Sequence, residues 1–199
     1  MNAELSKSLN AMGLKAKNAS AILNTATSAQ KNKFFDLAIA AIQENAEEIL
    51  AANQIDIKAA KDNGKDDAFI DRLALDKSRL QGICNTLNDI KSFEDPVGRE
   101  LASWQRPNGL NISRVATPLG VIGLIFESRP NVAADAGGLC LKSGNAVILR
   151  SGKDGLRSAS AIVRSLQNAL INADLPKECI QIVPSESREA ATMMLEGLN

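Results

Sequence analysis

The chain has 199 residues, enough to bury one sizeable core, and because 45% of them are hydrophobic but only 3% aromatic, that core must be aliphatic and rich in alanine. Lysine and arginine together number 23, as do aspartate and glutamate. This balance of charge does not indicate binding to nucleic acid or to an anionic membrane surface. The absence of histidine removes the commonest general base and the commonest metal ligand.

Residues 1–95 carry apolar side chains at the spacing of amphipathic helices. Ser28 is a plausible N-cap for one of these helices. The next helical pattern stops at Gly64, because an Asn-Gly pair is typical of a helix C-terminus. The pattern then resumes and is interrupted near Asp76, so that either Asp76 or Ser78 begins the following segment. The first part of the chain is therefore expected to be helical throughout.

Residues 96–117 form a predicted β-hairpin. The Pro-Val-Gly sequence at its start breaks the helical pattern, and two strand-like stretches, 101–104 and 110–117, flank a turn sequence at 107–109. Such a hairpin commonly projects from a domain, and an exposed strand edge can pair with another subunit. We therefore expect that residues 101–117 can mediate assembly into a homo-oligomer.

From residue 118 onward, strand patterns alternate with helix patterns. The stretch 121–126 is apolar without alternation, which suits a parallel strand buried on both faces. The predicted strands span 121–126, 146–149 and 180–183, and the predicted helices span 132–142, 156–173 and 186–195. This order indicates an α/β fold with N-terminal helices, a β-hairpin and then a partial parallel Rossmann-like sheet, β-α-β-α-β-α.

The polar sequence Glu-Ser-Arg-Pro-Asn at residues 127–131 directly follows the first parallel strand. In open α/β sheets, ligands bind beyond the carboxyl ends of the strands, and charged groups there are costly to hold unless they bind each other or a ligand. Arg129 could grip a carboxylate or a phosphate. Asn131 could donate its amide to a developing oxyanion or cap the following helix, and both roles can hold at once. Asp135, on that helix, reads as a polar surface position.

A second polar sequence, Arg-Ser-Gly-Lys-Asp-Gly at residues 150–155, lies between a predicted strand and a predicted helix. Glycine lets the backbone approach a ligand, and a helix N-terminus favours an anion. Arg150 and Lys153 add cationic donors, which suits a phosphate such as the 2′-phosphate of an adenosine ribose. The alternative is an ordinary turn with two solvated cations, because the sequence is neither a GxGxxG fingerprint nor a P-loop.

The three thiols, Cys84, Cys140 and Cys179, are far apart and form no CxxC pair, so neither a metal site nor a disulfide framework is indicated. Nothing near them in the sequence would lower a thiol pKa, so they are expected to be buried and unreactive. Unpaired thiols, an N-terminus without a signal-peptide pattern and the lack of an apolar run of membrane-spanning length predict a soluble, cytoplasmic protein.

Five motifs are long and specific enough to point to a family. They are ILAANQID at 49–56, DRLAL at 71–75, DPVG at 95–98, PLGVIGLIFESRPNV at 118–132 and LCLKSGNAVILRSGK at 139–153. They resemble the gamma-glutamyl phosphate reductase family of the aldehyde dehydrogenase superfamily, and the likeness covers essentially the whole chain. The resemblance implies that NADPH reduces gamma-glutamyl phosphate, through a cysteine thioester, to glutamate-5-semialdehyde and phosphate in proline biosynthesis.

The chain departs from this family in length, because the family's polypeptide is about twice as long. The family's nucleophilic cysteine and its pyrophosphate-binding glycines lie in the part that has no counterpart here. The resemblance therefore implies an N-terminal piece, an incomplete cofactor-binding domain with a helical part (1–95), a projecting hairpin (96–117) and a Rossmann-like part (118–199). The catalytic domain is expected to be absent, and the isolated chain is expected to be inactive.

The resemblance also implies roles for individual residues. The sequence at 150–153 resembles the superfamily's loop at the adenosine ribose, and Lys153, where NAD-using relatives often have an acid, agrees with NADPH. Asn131 resembles the oxyanion asparagine, although the spacing from the strand start is two residues longer and Arg129 falls at the competing position. The implied cofactor contacts are Glu127, Ser128, Arg150, Ser151, Gly152 and Lys153.

Two other functions are compatible with the same residues. The chain could be a non-catalytic module that binds NADP weakly or assembles through its hairpin. It could also be part of another acylating aldehyde dehydrogenase that uses a different acyl group.

Overall fold

The computed structural model of this protein describes residues 3–197, and a helical part precedes all of its strands. The helices of this part are α1 (Ala3–Leu23), α2 (Ser28–Glu44), α3 (Ala46–Asp62), α4 (Asp67–Leu73) and α5 (Lys77–Ser92). The prediction of a helical first part is confirmed. No helix within the described residues is long and apolar enough to cross a lipid bilayer.

Side-chain caps fix the ends of these helices. Thr27, rather than Ser28, caps α2: its hydroxyl accepts from the N–H of Gln30, and the Gln30 side chain accepts from the Thr27 N–H at 3.0 Å. The predicted end of α3 is confirmed, because Gly64 follows the last turn with a φ of 71°. Asp76 caps α5, since its carboxylate accepts from a backbone N–H three residues later at 2.7 Å.

The predicted hairpin is present as β1 (Glu100–Gln105) and β2 (Asn111–Val115), which pair in antiparallel fashion. Gly109, in the connecting turn, has a φ of 87°, a conformation that favours glycine. Both strands are largely exposed, and Trp104 presents 46% of its surface to solvent. The two strands therefore pair with each other, and most of their residues are exposed to solvent.

The remaining elements alternate strand and helix, as predicted. They are β3 (Val121–Phe126), α6 (Val132–Lys142), β4 (Ala146–Ser151), α7 (Leu156–Asn172), β5 (Ile180–Ile182) and α8 (Arg188–Glu196). The three strands are parallel and lie in the order β3-β4-β5. The predicted fold class, with a partial Rossmann-like sheet, is confirmed.

The prediction that β3 is buried on both faces is wrong. Ile122, Leu124 and Phe126 pack against the core, whereas the alternate positions are exposed, with Val121 at 38% and Ile125 at 40%. The reason is position in the sheet. β3 is an edge among the described strands, while β4 has a neighbour on each side and is buried along its whole length.

A buried polar network fixes the start of α7 against α3. Asp56, on α3, is fully buried, and its Oδ2 accepts from the N–H of Ser158 at 2.8 Å and from the Ser158 hydroxyl at 2.6 Å. Asn53 donates to the same hydroxyl at 3.0 Å and accepts from the N–H of Leu75 at 2.7 Å. Because the N-cap residue of α7 is Gly155, a neighbouring helix supplies the cap that the local sequence lacks.

Two buried lysines meet at the segment that follows α5. Lys31 is only 1% exposed, and its ammonium donates to both carboxylate oxygens of Asp95 at 3.0 Å. Lys142 donates to the side chain of Asn32 at 3.2 Å and to the carbonyl of Lys91 at 2.8 Å. Burial lowers the pKa of Lys142. Burial opposes charge on Asp95 as well, but hydrogen bonds, led by that from Lys31, hold the Asp95 pKa below its ordinary value.

Candidate functional site

The loops that follow β3 and β4 lie against each other at the carboxyl end of the sheet. The N–H of Gly152 donates to the carbonyl of Phe126 at 2.8 Å. A Cβ placed on Gly152 would lie 3.5 Å from the Cα of Glu127. The structure therefore brings together the two polar sequences that were predicted at neighbouring strand ends.

One cavity at this edge, which we call the β4 cavity, has a volume of about 570 Å³. The predicted cofactor-binding residues that line it are Glu127, Ser128, Arg150, Gly152 and Lys153. Its charged lining consists of Lys65, Arg150, Lys153 and Arg188 against Glu127, Asp154 and Glu186. Cations thus outnumber carboxylates, so the cavity favours an anion.

Arg150 lies within β4 rather than in the loop that follows, because the strand continues to Ser151. Arg150 is only 5% exposed, and its Nη2 donates to the carbonyl of Ser187 at 3.2 Å. Its Nε is buried and has no hydrogen-bond partner among the described residues. The alternative of two solvated cations is therefore wrong for Arg150, whose charge is held in the wall of the β4 cavity.

The other two residues of this polar sequence differ in position. Ser151 is 1% exposed, and its hydroxyl donates to the carbonyl of Gly152 at 3.1 Å, so its side chain is not part of the cavity wall. Lys153 is exposed at the start of the 3-10 turn Lys153–Gly155 and forms no ion pair with another described residue. Lys153 is therefore the cation of the predicted loop that is available to a ligand.

Two cations of the β4 cavity, Lys65 and Arg188, were not predicted. Lys65 follows α3, pairs with Asp154 at 3.5 Å and places its ammonium 4.5 Å from the ring centre of Phe69. Arg188 is the first residue of α8. Both are distant in the sequence from Lys153, and no local pattern marks either of them. Only the tertiary fold brings them to the cavity.

A second cavity, which we call the α6 cavity, has a volume of about 420 Å³ and lies between α5 and the start of α6. Arg129 and Asn131 line it, together with Asp135. The predicted loop is therefore divided, since Glu127 and Ser128 line the β4 cavity. Arg129 is exposed and has no side-chain hydrogen bond to another described residue.

Asn131 occupies the N-cap position of α6 but does not cap the helix. Its backbone is already helical, with φ −56° and ψ −30°, and its side chain makes no capping hydrogen bond. Its Nδ2 donates instead to Oδ2 of Asp135 at 2.9 Å. The predicted capping role is therefore wrong. The second amide hydrogen has no partner among residues 3–197 and is available to a ligand in the α6 cavity.

Asp135 is half-buried rather than a surface residue. Burial raises the pKa of its carboxyl, and the hydrogen bond from Asn131 opposes this effect. The sequence did contain a signal, because residues four apart on a helix share one face. The expectation that Asp135 is a surface position is therefore wrong, because Asp135 accepts from Asn131 on the same helix face.

The cysteines are buried, as predicted. Burial raises the pKa of Cys140 to about 11 and that of Cys179 to about 12, and it also raises the pKa of Cys84. None of the three lines the β4 cavity or the α6 cavity. The described residues therefore supply no thiolate to either cavity.

No family model matches the chain. The chain is 50% identical over 198 residues to the gamma-glutamyl phosphate reductase of Brucella suis, a match that covers 100% of this chain and 47% of that protein. It is 49% identical over 187 residues to the gamma-glutamyl phosphate reductase of Parvibaculum lavamentivorans, covering 94% of this chain and 44% of that protein. The chain thus spans a little less than half the length of the curated relatives it matches.

Solved structures give the same result. Gamma-glutamyl phosphate reductase from Thermotoga maritima superposes with a TM-score of 0.92 at 36% identity, covering 94% of this chain and 45% of that one. Gamma-glutamyl phosphate reductase from Saccharomyces cerevisiae superposes with a TM-score of 0.83 at 30% identity, covering 92% of this chain and 46% of that one. An acetylating aldehyde dehydrogenase from Geobacillus thermoglucosidasius shares the fold, with a TM-score of 0.73 at 16% identity. The match covers 98% of this chain and 40% of that one. The chain is therefore a homologue of the gamma-glutamyl phosphate reductases over somewhat less than half of their length.

Proposed function

We propose that this chain is the N-terminal, cofactor-binding part of an NADPH-dependent gamma-glutamyl phosphate reductase. The complete enzyme converts gamma-glutamyl phosphate to glutamate-5-semialdehyde and phosphate in proline biosynthesis, in the cytoplasm. Residues 1–199 form an incomplete cofactor-binding domain, made of a helical part (1–95), a projecting hairpin (96–117) and a Rossmann-like part (118–199). The nucleophilic cysteine and the catalytic domain belong to the remainder of the enzyme.

The observation that carries this proposal is the cationic lining of the β4 cavity. Its carboxylates are partly neutralised, because Asp154 pairs with Lys65 at 3.5 Å. Lys153 and Arg188 are both exposed and line the cavity, so they can reach a phosphate on the adenosine ribose. An adenosine without the 2′-phosphate would not use this positive charge. The cavity therefore supports NADPH over NADH.

Two further features fit a bound ribose phosphate. The buried Nε of Arg150 has no partner among the described residues, an arrangement that is costly unless a ligand or a water supplies an acceptor. Gly152 leaves open the space beside Glu127 that a side chain would occupy. The Glu127 carboxylate is then free to accept hydrogen bonds from ribose hydroxyls. These residues bind and orient the adenosine end of the cofactor.

The α6 cavity supports the substrate half of the proposal. The unused amide hydrogen of Asn131 can donate to the acyl oxygen on which negative charge develops. The guanidinium of Arg129 has no partner among the described side chains and suits an anionic substrate. NADPH supplies a hydride when it is bound, while the residues of this chain bind and orient the acyl group.

Lys153→Glu tests the proposed cofactor. Because Lys153 is proposed to contact the adenosine side of the cofactor, the probes are 2′,5′-ADP and 5′-AMP, titrated by calorimetry. We expect the wild-type chain to prefer 2′,5′-ADP and the variant to lose roughly tenfold or more of that affinity, since a cation on the phosphate becomes an anion. Binding of 5′-AMP should change little.

The matched control is Lys177→Glu, which changes an exposed lysine in the 3-10 turn Lys177–Cys179 and should leave both affinities unaltered. Equal affinity of the wild-type chain for the two nucleotides, or an equal loss in both variants, would contradict NADPH as the cofactor.

We propose in addition that the hairpin mediates self-association of the enzyme. It carries exposed apolar side chains at Leu101, Trp104, Leu110 and Val115, each at least 46% accessible. Scattered surface apolar residues are normal, but several on one projecting element favour an interface. The same element would serve an assembly module without catalytic activity.

A further inference from the structure

The α6 cavity contains more charge than the reacting end of the substrate requires. Its charged lining residues are Asp71, Arg72, Arg79, Arg129 and Asp135. An acyl phosphate needs a hydrogen-bond donor, which Asn131 provides, and cations rather than carboxylates around it. A half-buried carboxylate close to the same position would repel it. The presence of Asp135 therefore calls for a different chemical partner.

Three of these charged residues already make contacts within the protein. Arg79 pairs with Asp71 at 2.6 Å and donates to the carbonyl of Ala74 at 2.8 Å. These contacts tie the end of α4 to the start of α5, so this pair forms a fixed rim of the cavity. Arg72 points toward Phe69, with its guanidinium carbon 5.9 Å from the ring centre.

Asp135 and Arg129 remain available. The one hydrogen bond of the Asp135 carboxylate to a described residue comes from Asn131 at 2.9 Å, so at least one oxygen can accept from a ligand. Arg129 precedes Asn131 by two residues. Its guanidinium donates no hydrogen bond to another described residue. An anion and a cation thus flank the proposed oxyanion donor in a single cavity of about 420 Å³.

This charge pattern complements an ammonium and a carboxylate carried by one small molecule. This inference rests on the proposed function, in which the substrate carries a glutamyl group. The ligand is the α-amino-acid end of that group, which bears both charges. We propose that the α6 cavity binds this end of the substrate, with Asp135 accepting from the α-ammonium and Arg129 donating to the α-carboxylate. The contact between Asp135 and Asn131 then couples recognition of the amino group to placement of the amide that faces the acyl oxygen.

The test uses three small probes on the chain: L-glutamate, which has both groups, glutarate, which lacks the ammonium, and 4-aminobutyrate, which lacks the α-carboxylate. Binding is followed by NMR titration. We expect L-glutamate to bind with saturation. Asp135→Asn should weaken L-glutamate by roughly tenfold or more and leave glutarate unchanged, because a charge-assisted hydrogen bond to the ammonium is lost.

Arg129→Gln tests the contact with the α-carboxylate. Because Arg129 lies on an exposed loop, this substitution is not expected to affect folding. It should weaken L-glutamate and glutarate but not 4-aminobutyrate. Asp89→Asn, on the exposed face of α5, is the matched control and should change none of the three. Thermal unfolding confirms that each variant is folded.

Absence of saturable L-glutamate binding, or equal affinity in the wild-type chain and Asp135→Asn, would overturn this assignment. Affinity for 2′,5′-ADP is measured on the same samples and separates the two ideas. If the nucleotide binds and the Asp135 effect is absent, only the amino-acid site is wrong. If the Asp135 and Arg129 effects appear without preference for the 2′-phosphate, only the cofactor proposal is wrong.

Discussion

At the scale of single residues, one carboxylate holds a buried cation in place. The ammonium of Lys31 is enclosed by the protein and depends on Asp95, whose side chain is 15% exposed. Removing one partner of a buried ion pair leaves the other charge uncompensated, which costs far more than the pair itself contributes. Asp95 belongs to the DPVG motif, so the motif has a structural role that its sequence did not reveal.

Asp95→Asn should lower the free energy of unfolding at neutral pH by about 3 kcal/mol, because Lys31 would stay buried without a counter-charge. Urea denaturation measures this loss. Asp174→Asn is the control, since the Lys33–Asp174 pair has side chains 51% and 82% exposed and should contribute less than about 1 kcal/mol. A loss for Asp95→Asn no larger than for the control would contradict the role of the buried pair.

The same pair predicts a dependence on pH. The pKa of Asp95 is lower in the folded protein than its ordinary value of 3.8, so the unfolded state binds the proton first. The stability that its charge contributes is present above that ordinary value and is lost as the pH falls through the folded-state pKa. The difference between the wild-type chain and Asp95→Asn should therefore shrink when urea denaturation is repeated in acid.

The positions of candidate site residues could be predicted from the sequence where the residues directly follow a strand. They could not be predicted where only tertiary contacts bring a residue to the cavity. Lys153 reached the β4 cavity as expected, because a cation just after a central strand lies at its carboxyl end. Arg150 looked the same in the sequence, yet its guanidinium binds the backbone before α8. Lys65 and Arg188 could not be predicted, because no local pattern relates them to a turn so far along the chain.

At the scale of elements, the order and most boundaries of the helices and strands were predictable. Val121–Phe126 and Val132–Lys142 match the predicted strand and helix at both ends. The burial of each strand was harder to predict, because an apolar strand at a sheet edge and one at the sheet centre can show the same apolar pattern. β4 was predicted too short, since its polar last residues, Arg150 and Ser151, are paired to β3 rather than solvated.

The hairpin gives an element-scale prediction. If β1 and β2 form an interface between copies, Trp104→Lys should weaken self-association tenfold or more, as expected for an aromatic anchor at the centre of an interface. Sedimentation velocity over a range of concentrations measures this change. Leu14→Lys, at a position of α1 that is 60% exposed, is the control and should not alter the sedimentation coefficient. A wild-type chain that sediments as a monomer at every concentration would contradict the proposal.

At the scale of the whole molecule, two cavities open at one edge of the sheet but neither receives a thiolate. Under the proposed function, the β4 cavity holds the adenosine end of a cofactor and the α6 cavity holds the acyl substrate. The three cysteines lie in the core with raised pKa values. If the proposed function holds, the described residues bind and orient the ligands, and a thioester step would need a nucleophile that none of these three cysteines supplies.

The purified chain should accordingly show no NADPH oxidation with gamma-glutamyl phosphate, measured as the loss of absorbance of the reduced nicotinamide. Addition of a full-length homologous reductase to the same assay is the positive control. Substituting all three cysteines by serine should leave the background rate unchanged. Turnover by the chain that disappears in this triple variant would show that one of these thiols acts as a nucleophile after all.

The contact between Asp56 and Ser158 has a consequence for how cofactor preference can change. A helix N-terminus normally offers its amides and its positive dipole to a phosphate, but in α7 a fixed carboxylate already occupies that end. If the β4 cavity binds a ribose phosphate, as proposed, that phosphate is then recognised by exposed cations such as Lys153 rather than by this helix end. Nucleotide preference in this scaffold should therefore be sensitive to ionic strength and open to reversal by one or two surface substitutions, with the packed interior untouched.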